Sequence, residues 1–313
     1  MYGYILRRLL ATIPVMLIVA LVVFLLLHLT PGDPAAIIAG DYARPEDIAR
    51  IRKNLGLDQP LYIQFFSWLG NVLSGDLGVS IFSDLPVSKL IAQRLEPTIA
   101  LSISTIIFAI VVAVPLGTIA AYKAGTMVDR AVMAFAVLGF SVPVFVIGYV
   151  LMYFFSLKLG WFPVQGYKPI GEGFWPFLRS ITLPTLALGI VYVALIARIT
   201  RASVLEILTE DYIRTAKAKG LDDGNLLVRH ALRNAAVPIV TIIGIGIALL
   251  IGGVVVTESV FNIPGLGRLT IDAVLRRDYP IIQGVILVFS GIYVFVNLFI
   301  DILYTFLDPR IRY

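Results

Sequence analysis

Leu9-Leu10-Ala11-Thr12-Ile13-Pro14-Val15-Met16-Leu17-Ile18-Val19-Ala20-Leu21-Val22-Val23-Phe24-Leu25-Leu26-Leu27-His28-Leu29 contains 21 residues and no Asp, Glu, Lys or Arg. At a rise of about 1.5 Å per residue, a helix of that length matches the roughly 30 Å hydrocarbon core of a bilayer. Five further uncharged runs follow: Thr98–Tyr122, Ala131–Leu157, Ile181–Ala197, Ala235–Thr257 and Ile281–Ile300, of 25, 27, 17, 23 and 20 residues. The whole chain of 313 residues is 59% apolar and 14% charged, against roughly 25% charge in an ordinary soluble domain. A water-soluble globule is excluded, and the sequence reads as an all-α polytopic membrane protein with six transmembrane helices.

The same composition removes other classes. There are no cysteines, so disulfides, thiolate metal sites and cysteine nucleophiles are absent. The two histidines, His28 and His230, are too few for a His-rich metal centre. We read His28 as an interfacial residue and His230 as a hydrogen-bonded or partner-facing one. A formal charge of +5 is what basic cytoplasmic loops produce and does not point to nucleic acid. Leu9–Leu29 is too long for a signal-peptide core, and Thr30-Pro31-Gly32-Asp33-Pro34 is no small-residue cleavage site.

Six spans place both termini on one side. The loops on that side carry 13 Lys and Arg, the opposite loops 12. Six of those 12 lie in the first loop, Pro31–Pro97, whose 67 residues are long enough to be translocated largely regardless of charge. Setting it aside leaves 13 against 6, which puts both termini in the cytoplasm and the first loop outside. The chain then divides into residues 1–30, the cytoplasmic N-terminus and first span, residues 31–97, and a five-helix core over 98–313 with a cytoplasmic loop at 198–234. The outer loop is predicted to be a small helical cap. Pro45-Glu46-Asp47 opens a helix with Ile48, Ile51 and Leu55 on one side and Gly56 to stop it. Pro60 opens a second, with Leu61, Phe65, Trp68, Leu69 and Val72 on one face, suited to the interface or to the membrane helices. Gly75-Asp76-Leu77-Gly78 breaks it.

Ion-driven carriers tend to hold ionisable groups at depth, and these spans offer almost none. Asp301 and Glu258 fall near span ends and read as wetted helix termini. Span five carries Gly244, Ala248 and Gly252 at four-residue intervals, with Gly246 and Gly253 beside them, a face that lets another backbone approach closely. In span three, Gly139-Phe140-Ser141-Val142-Pro143 removes a helical hydrogen bond and predicts a kink or break, and Pro115 predicts the same in span two. Ser141 and Pro143, with Gly244, Ala248 and Gly252, are therefore candidates for helix packing or for lining a path.

The inner loop carries the most information. In Glu210-Asp211-Tyr212-Ile213-Arg214-Thr215-Ala216-Lys217-Ala218-Lys219-Gly220-Leu221-Asp222, the acidic pair suits a helix N-terminus, Lys217 and Lys219 suit the other end, and Gly220 stops it. Tyr212, Thr215, Ala216 and Lys219 share one side. A second helix follows, aligning Leu226, Leu227, His230, Ala231 and Asn234 with Arg229 and Arg233 exposed, before Pro238 opens span five. The first helix is too polar for the bilayer and too bare to form a core. It is shaped to insert into a partner's groove.

This loop resembles the "EAA" coupling loop of ABC-importer permeases, specifically the dipeptide/oligopeptide/nickel branch and the first of its two homologous permeases. The resemblance covers nearly the whole chain. It includes Tyr4-Ile5-Leu6-Arg7-Arg8-Leu9, Pro31-Gly32-Asp33-Pro34, Leu55-Gly56-Leu57-Asp58-Gln59-Pro60-Leu61 and Gly75-Asp76-Leu77-Gly78. It continues with Glu210–Ala216 and Lys219-Gly220, His230-Ala231-Leu232-Arg233-Asn234, Phe261-Asn262-Ile263-Pro264-Gly265-Leu266-Gly267-Arg268 and Asp308-Pro309-Arg310-Ile311-Arg312. The general pattern starts with an acidic residue and alanine where this chain has Arg214-Thr215-Ala216, a departure that weakens a sugar or amino-acid importer and not an ABC importer.

The resemblance implies a type I permease fold in a bacterial inner membrane, paired with a second homologous permease and surrounded by lipid. Two cytoplasmic ATPases would bind ATP and Mg, and an extracytoplasmic binding protein would deliver the solute. The coupling helix would dock on an ATPase through Asp211, Tyr212, Arg214, Thr215, Ala216, Lys217, Ala218, Lys219, Gly220 and Leu221. No G-x-x-x-x-G-K-[S/T] occurs in the chain, so this subunit is expected to bind no cofactor and to be no enzyme. Gly265-Leu266-Gly267-Arg268 is a poor phosphate loop because it falls on the outer side. Dipeptides, oligopeptides, glutathione and chelated nickel remain open as solutes. The rivals are an ion-coupled secondary carrier, which would need midplane charges and paired repeats, and an intramembrane enzyme, which would need a nucleophile–base pair the spans do not provide.

Overall fold

The structure is a computed structural model that describes residues 2–29, 35–36, 44–54 and 57–307. Pro31–Pro34, Leu55-Gly56 with its expected helix stop, and Asp308–Arg312 lie outside the described residues, as does the side chain of His28. The chain is helical, and among the described residues there is no strand. Two compact units are distinguished: residues 1–94 with 269–295, and residues 95–268 with 296–313.

In the first unit, α1 (Tyr2–Leu29) is followed by α2 (Pro45–Asn54) and α3 (Leu61–Leu73), so the long first loop carries two helices among its described residues. The apolar stripe of α3 does what its spacing predicts. Trp68, Leu69 and Val72 pack with Ala20 and Val23 of α1, and Phe24 meets the rings of Phe65 and Trp68 at 5.4 and 5.7 Å. Leu61, at the end of the stripe, stays exposed. The buried Asp278 carboxylate accepts from Ser80 Oγ at 2.6 Å and from the Ile81 amide at 3.3 Å, which ties down the turn after α3.

The second unit is organised on α7 (Phe174–Leu208). In its apolar window 72% of residues are buried, against 17–28% for the other long apolar helices. That difference makes α7 the centre and leaves the rest with apolar surface for lipid or partner subunits. Leu183, Leu188, Tyr192, Val193 and Ile196 form the core with Leu101, Ala109 and Ala113 of α4 (Val87–Tyr122) and with Leu250 and Val254 of α9 (Ala236–Val260). Inside these spans the hydroxyls of Ser102, Ser104, Thr118, Thr241 and Thr257 donate to the carbonyl four residues earlier. These five hydroxyls are satisfied within their own helix, whereas the buried hydroxyls of Thr105, Thr185 and Thr200 have no partner among the described residues.

Five helices are long and apolar enough to cross a membrane, and a sixth span exists if the bent pair α5 (Met127–Ser141) and α6 (Val144–Leu151, prolonged by a π-helical turn to Lys158) is counted as one. The two halves turn by 104° at the Gly139–Pro143 segment expected to break. At Pro115 the helix does not break, for α4 continues through Pro97 and Pro115. The last long helix is α11 (Tyr279–Leu307), preceded by α10 (Leu266–Arg276).

Glu258 corrects the sequence reading. Rather than a wetted helix end it is fully buried, because the chain after α9 folds back over it. Thr98 Oγ1 donates to Glu258 Oε1 at 2.5 Å, the Arg268 amide donates to Oε2 at 3.0 Å, and the Leu266 amide donates to Thr98 Oγ1 at 2.8 Å. A buried carboxylate without such donors would cost several kcal/mol. A Cβ at Gly265 would collide with the Glu258 carboxylate, and one at Gly267 would lie 2.5 Å from Val255 Cα. The glycines of Gly265-Leu266-Gly267-Arg268 therefore admit an acidic side chain, the reverse of a phosphate cradle.

This packing separates two kinds of glycine. Gly267→Ala is expected to lower the thermal transition of the detergent-solubilised protein by an amount corresponding to about 1–3 kcal/mol. Gly252→Ala, where an added Cβ meets nothing within 4 Å, should leave it unchanged. Equal transitions for the two variants would contradict the packing described.

Candidate functional site

The segment between α7 and α9 is built by local rules. α7 runs on to Leu208, beyond the uncharged run, so Arg198 and Arg201 lie in the helix and not in the loop. Arg201 donates both Nε and Nη2 to the buried Asp129 of α5, the Nη2 bond at 2.7 Å. After Thr209, Glu210 takes an extended conformation and α8 (Asp211–Ala218) begins. Its end is a Schellman closure: the Gly220 amide donates to Lys217 O at 3.0 Å and the Leu221 amide to Ala216 O at 3.3 Å. Gly220 has φ of +81°, a left-handed conformation that only glycine adopts cheaply.

Asp222 then caps the next turn. Its carboxylate accepts from the Asn225 amide at 3.0 Å and from Asn225 Nδ2 at 2.6 Å. The backbone bond from Asn225 is the chief reason its pKa lies below the usual aspartate value, with the side-chain bond second. The cap is therefore intact above the ordinary carboxylate range and is lost as pH falls through the depressed value. One helical turn, Asp223–Asn225, leads into a π-helical segment, Leu226–Leu232, and on to α9.

Two contacts seat this short helix. Ile213 is its one buried residue. Asn234 Nδ2 donates to Tyr212 Oη at 3.0 Å, and the Tyr212 phenol is held above its ordinary pKa first by burial, so it stays protonated. Beside it, Tyr122 at the end of α4 donates to the Asp223 carboxylate. The ends of α4 and α7 and the entry to α9 share a small apolar cluster of Ala121, Val204, Ala231, Ala235 and Ile239. Asp211, Tyr212, Arg214, Thr215, Lys217, Ala218, Lys219 and Gly220 are exposed, while Ala216 and Leu221 are half-buried. Asp211 and Arg214 pair at 3.4 Å across one turn. The arrangement is a short polar helix that presents most of its surface outward from a fixed base.

The remaining candidates are spread through the second unit. Gly244 is buried against Ile300, Ala248 is half-buried, and Gly252 is exposed. The glycines that close onto α7 are Gly246 and Gly253, against Tyr192 and Leu188. Ser141 and Pro143 stand exposed at the break between α5 and α6. Sequence reasoning missed Arg198, counted among loop charges, which lines a crevice with Ser141. The signal that could have found it is the helical continuation from Ala197 through Leu208 with no glycine or proline.

Residues 113–313 match the family described as the binding-protein-dependent transport system inner membrane component, and residues 1–102 match its N-terminal companion. The chain is 55% identical over 310 residues, 99% of each chain, to a Sinorhizobium fredii protein named "Probable peptide ABC transporter permease protein". It is 46% identical over 313 residues, 100% of each chain, to a glutathione transport system permease of Salmonella choleraesuis. Among solved structures, a chain of the inward-facing MetNI methionine ABC transporter aligns with a TM-score of 0.59 at 17% identity, covering 70% of this chain and 96% of that one, a likeness of fold. The family match spans the apolar helices and the exposed short helix alike, and the chain belongs to the inner-membrane permeases of binding-protein-dependent ABC importers, in their peptide-type branch.

Proposed function

We propose that this permease forms half of a translocation path for short peptides and that α8 is the contact through which an ATPase drives it. The observation that carries the coupling role is the geometry of α8. It is a charged eight-residue helix, anchored by one buried isoleucine and the hydrogen bond between Tyr212 and Asn234, with most of its surface exposed. A helix too small to be stable alone but fixed at its base transmits a push instead of bending. The second homologous permease would cover apolar helix surface that this chain leaves bare, two ATPases would supply ATP and Mg, and a binding protein would present the solute. Peptide as solute is supported by the names of full-length relatives, one of which takes glutathione, itself a small peptide.

The charge count of the loops supports a cytoplasmic position for α8 and both termini. Because the chain has no cysteine, Lys219→Cys gives a single label site. A membrane-impermeant maleimide should modify it in inverted vesicles and not in intact cells, and the opposite pattern would reverse the topology.

Coupling and solute are tested on the assembled transporter. Wild type should import members of a mixed di- to pentapeptide pool only with ATP. Ala216→Trp and Gly220→Pro should leave the chain in the membrane but lower peptide-stimulated ATP hydrolysis by at least about tenfold, since both changes fall on α8 and outside the spans. Unaltered coupled hydrolysis in both variants would remove α8 from the drive, and uptake driven by an ion gradient without ATP would favour the secondary carrier.

A further inference from the structure

The break between α5 and α6 falls in the middle of the uncharged run Ala131–Leu157. Pro143 has no N–H, and the helices end at Ser141 and restart at Val144. The carbonyls of Gly139, Phe140 and Ser141 therefore stand outside both helical ladders. Phe140 and Ser141 are exposed. Non-helical backbone at membrane depth is tolerated only where protein covers it or water reaches it, so an exposed break of this kind does not face lipid tails.

Next to it lies a crevice of about 110 Å³ between α5 and α7, lined by Ala136, Val137, Phe140, Ser141, Ala194 and Arg198 among others. Arg198 is exposed and has no hydrogen-bond or ion-pair partner among the described residues, in contrast to Arg201 one turn away, which is committed to Asp129. Arg179 and Arg198 bracket the uncharged part of α7, about 28 Å apart along the helix, so Arg198 sits at the edge of the hydrocarbon layer and not out in a loop. A bare guanidinium there is costly against lipid tails and suited to a water-filled passage.

We propose that Arg198 and the broken helix at Ser141 form a wet, anion-attracting station in the translocation path, which holds the C-terminal carboxylate of a peptide during import. The inference rests on the peptide reading above for the identity of the anion, and on the geometry alone for the station. The planar guanidinium suits a carboxylate through paired N–H donors. The other lining groups are small or apolar and would tolerate varied side chains.

The absence of native cysteine makes the station testable without a known solute. In the assembled transporter, Ser141→Cys is exposed, in right-side-out and in inverted vesicles, to sulfonatoethyl methanethiosulfonate and to its trimethylammonium counterpart, and modification is read from the mass of this chain. Relative to their rates with a free thiol, the anionic reagent should gain on the cationic one by roughly thirty-fold, since one unit charge about 4 Å away in water favours the one and disfavours the other by about five-fold each. Arg198→Gln should abolish the preference and Arg198→Lys should keep it, the latter serving where the glutamine variant does not assemble. Trialanine should slow the modification and trialanine amide should not. Failure of both reagents to reach the cysteine, or a preference unaltered by Arg198→Gln, would overturn the station. A preference that depends on Arg198 but is protected by neither peptide would overturn the carboxylate occupant and place the failure with the peptide reading.

Discussion

Hydrocarbon offers no hydrogen bonds, so each peptide group and hydroxyl that enters it must be satisfied by the chain itself. Most of this structure follows from that constraint. It explains why α4 runs 36 residues without interruption through two prolines, and why serines and threonines in the spans turn back onto their own helices. It also explains the cluster around Glu258. A carboxylate at the end of α9 is admissible because Thr98 and the Arg268 amide donate to it, and those donors reach it only because Gly265 and Gly267 leave room. Among the described residues the constraint is not met everywhere: the buried hydroxyls of Thr105, Thr185 and Thr200 find no partner, and at the α5–α6 junction, where the helix axis turns by 104°, backbone carbonyls leave the ladder as well. An exposed break in the backbone ladder at this depth marks a place where water or another protein surface, and not lipid, is the neighbour.

The same constraint explains the uneven burial. Helices cannot be driven together by the hydrophobic effect in a solvent as apolar as leucine, so contact depends on close packing. α7 achieves this with Gly189, over which the Phe108 ring lies, and by receiving Gly246 and Gly253 of α9. The peripheral helices lack such fits on their outer faces: Ile245, Leu249, Gly252 and Val256 of α9 form one continuous exposed strip. A single subunit of a two-permease path is expected to look like this, with one well-packed spine and surfaces left for lipid and for its neighbour.

Much of this was legible in the sequence, because uncharged runs of 17 to 27 residues permit little besides membrane helices. The stripe Phe65, Trp68, Leu69 and Val72 announced its contact with α1, and the Gly139–Pro143 segment announced its break. What was not legible depends on contacts distant in sequence. Glu258 looks like a hydrated helix end until Thr98, 160 residues away, is brought beside it. Pro115 can end a helix by local rules, yet α4 runs through it. Arg198 was assigned to a loop because the charge pattern stops at Ala197, whereas helix α7 does not. Charge marks where a hydrocarbon layer ends, and helix signals mark where a helix ends, and on α7 these differ by more than two turns.

That difference bears on how a push at α8 could reach the path. The overhanging end of α7 carries Val204 into the small cluster with Ala121, Ala231, Ala235 and Ile239, so the ends of α4 and α7 and the entry to α9 share one apolar junction. Tyr122 and Asn234 tie the loop to two of those three helices by hydrogen bonds. The entry to α9 is π-helical over Leu226–Leu232, a wider winding often found at functional sites. On the coupling role proposed for α8, force entering at Tyr212 passes through its hydrogen bond with Asn234 to the entry of α9. Arg198 lies on α7 only six residues, less than two turns, from Val204. A motion delivered to the junction would therefore displace the guanidinium relative to the fixed break at Ser141, which is the change needed to bind a carboxylate in one state and release it in the other.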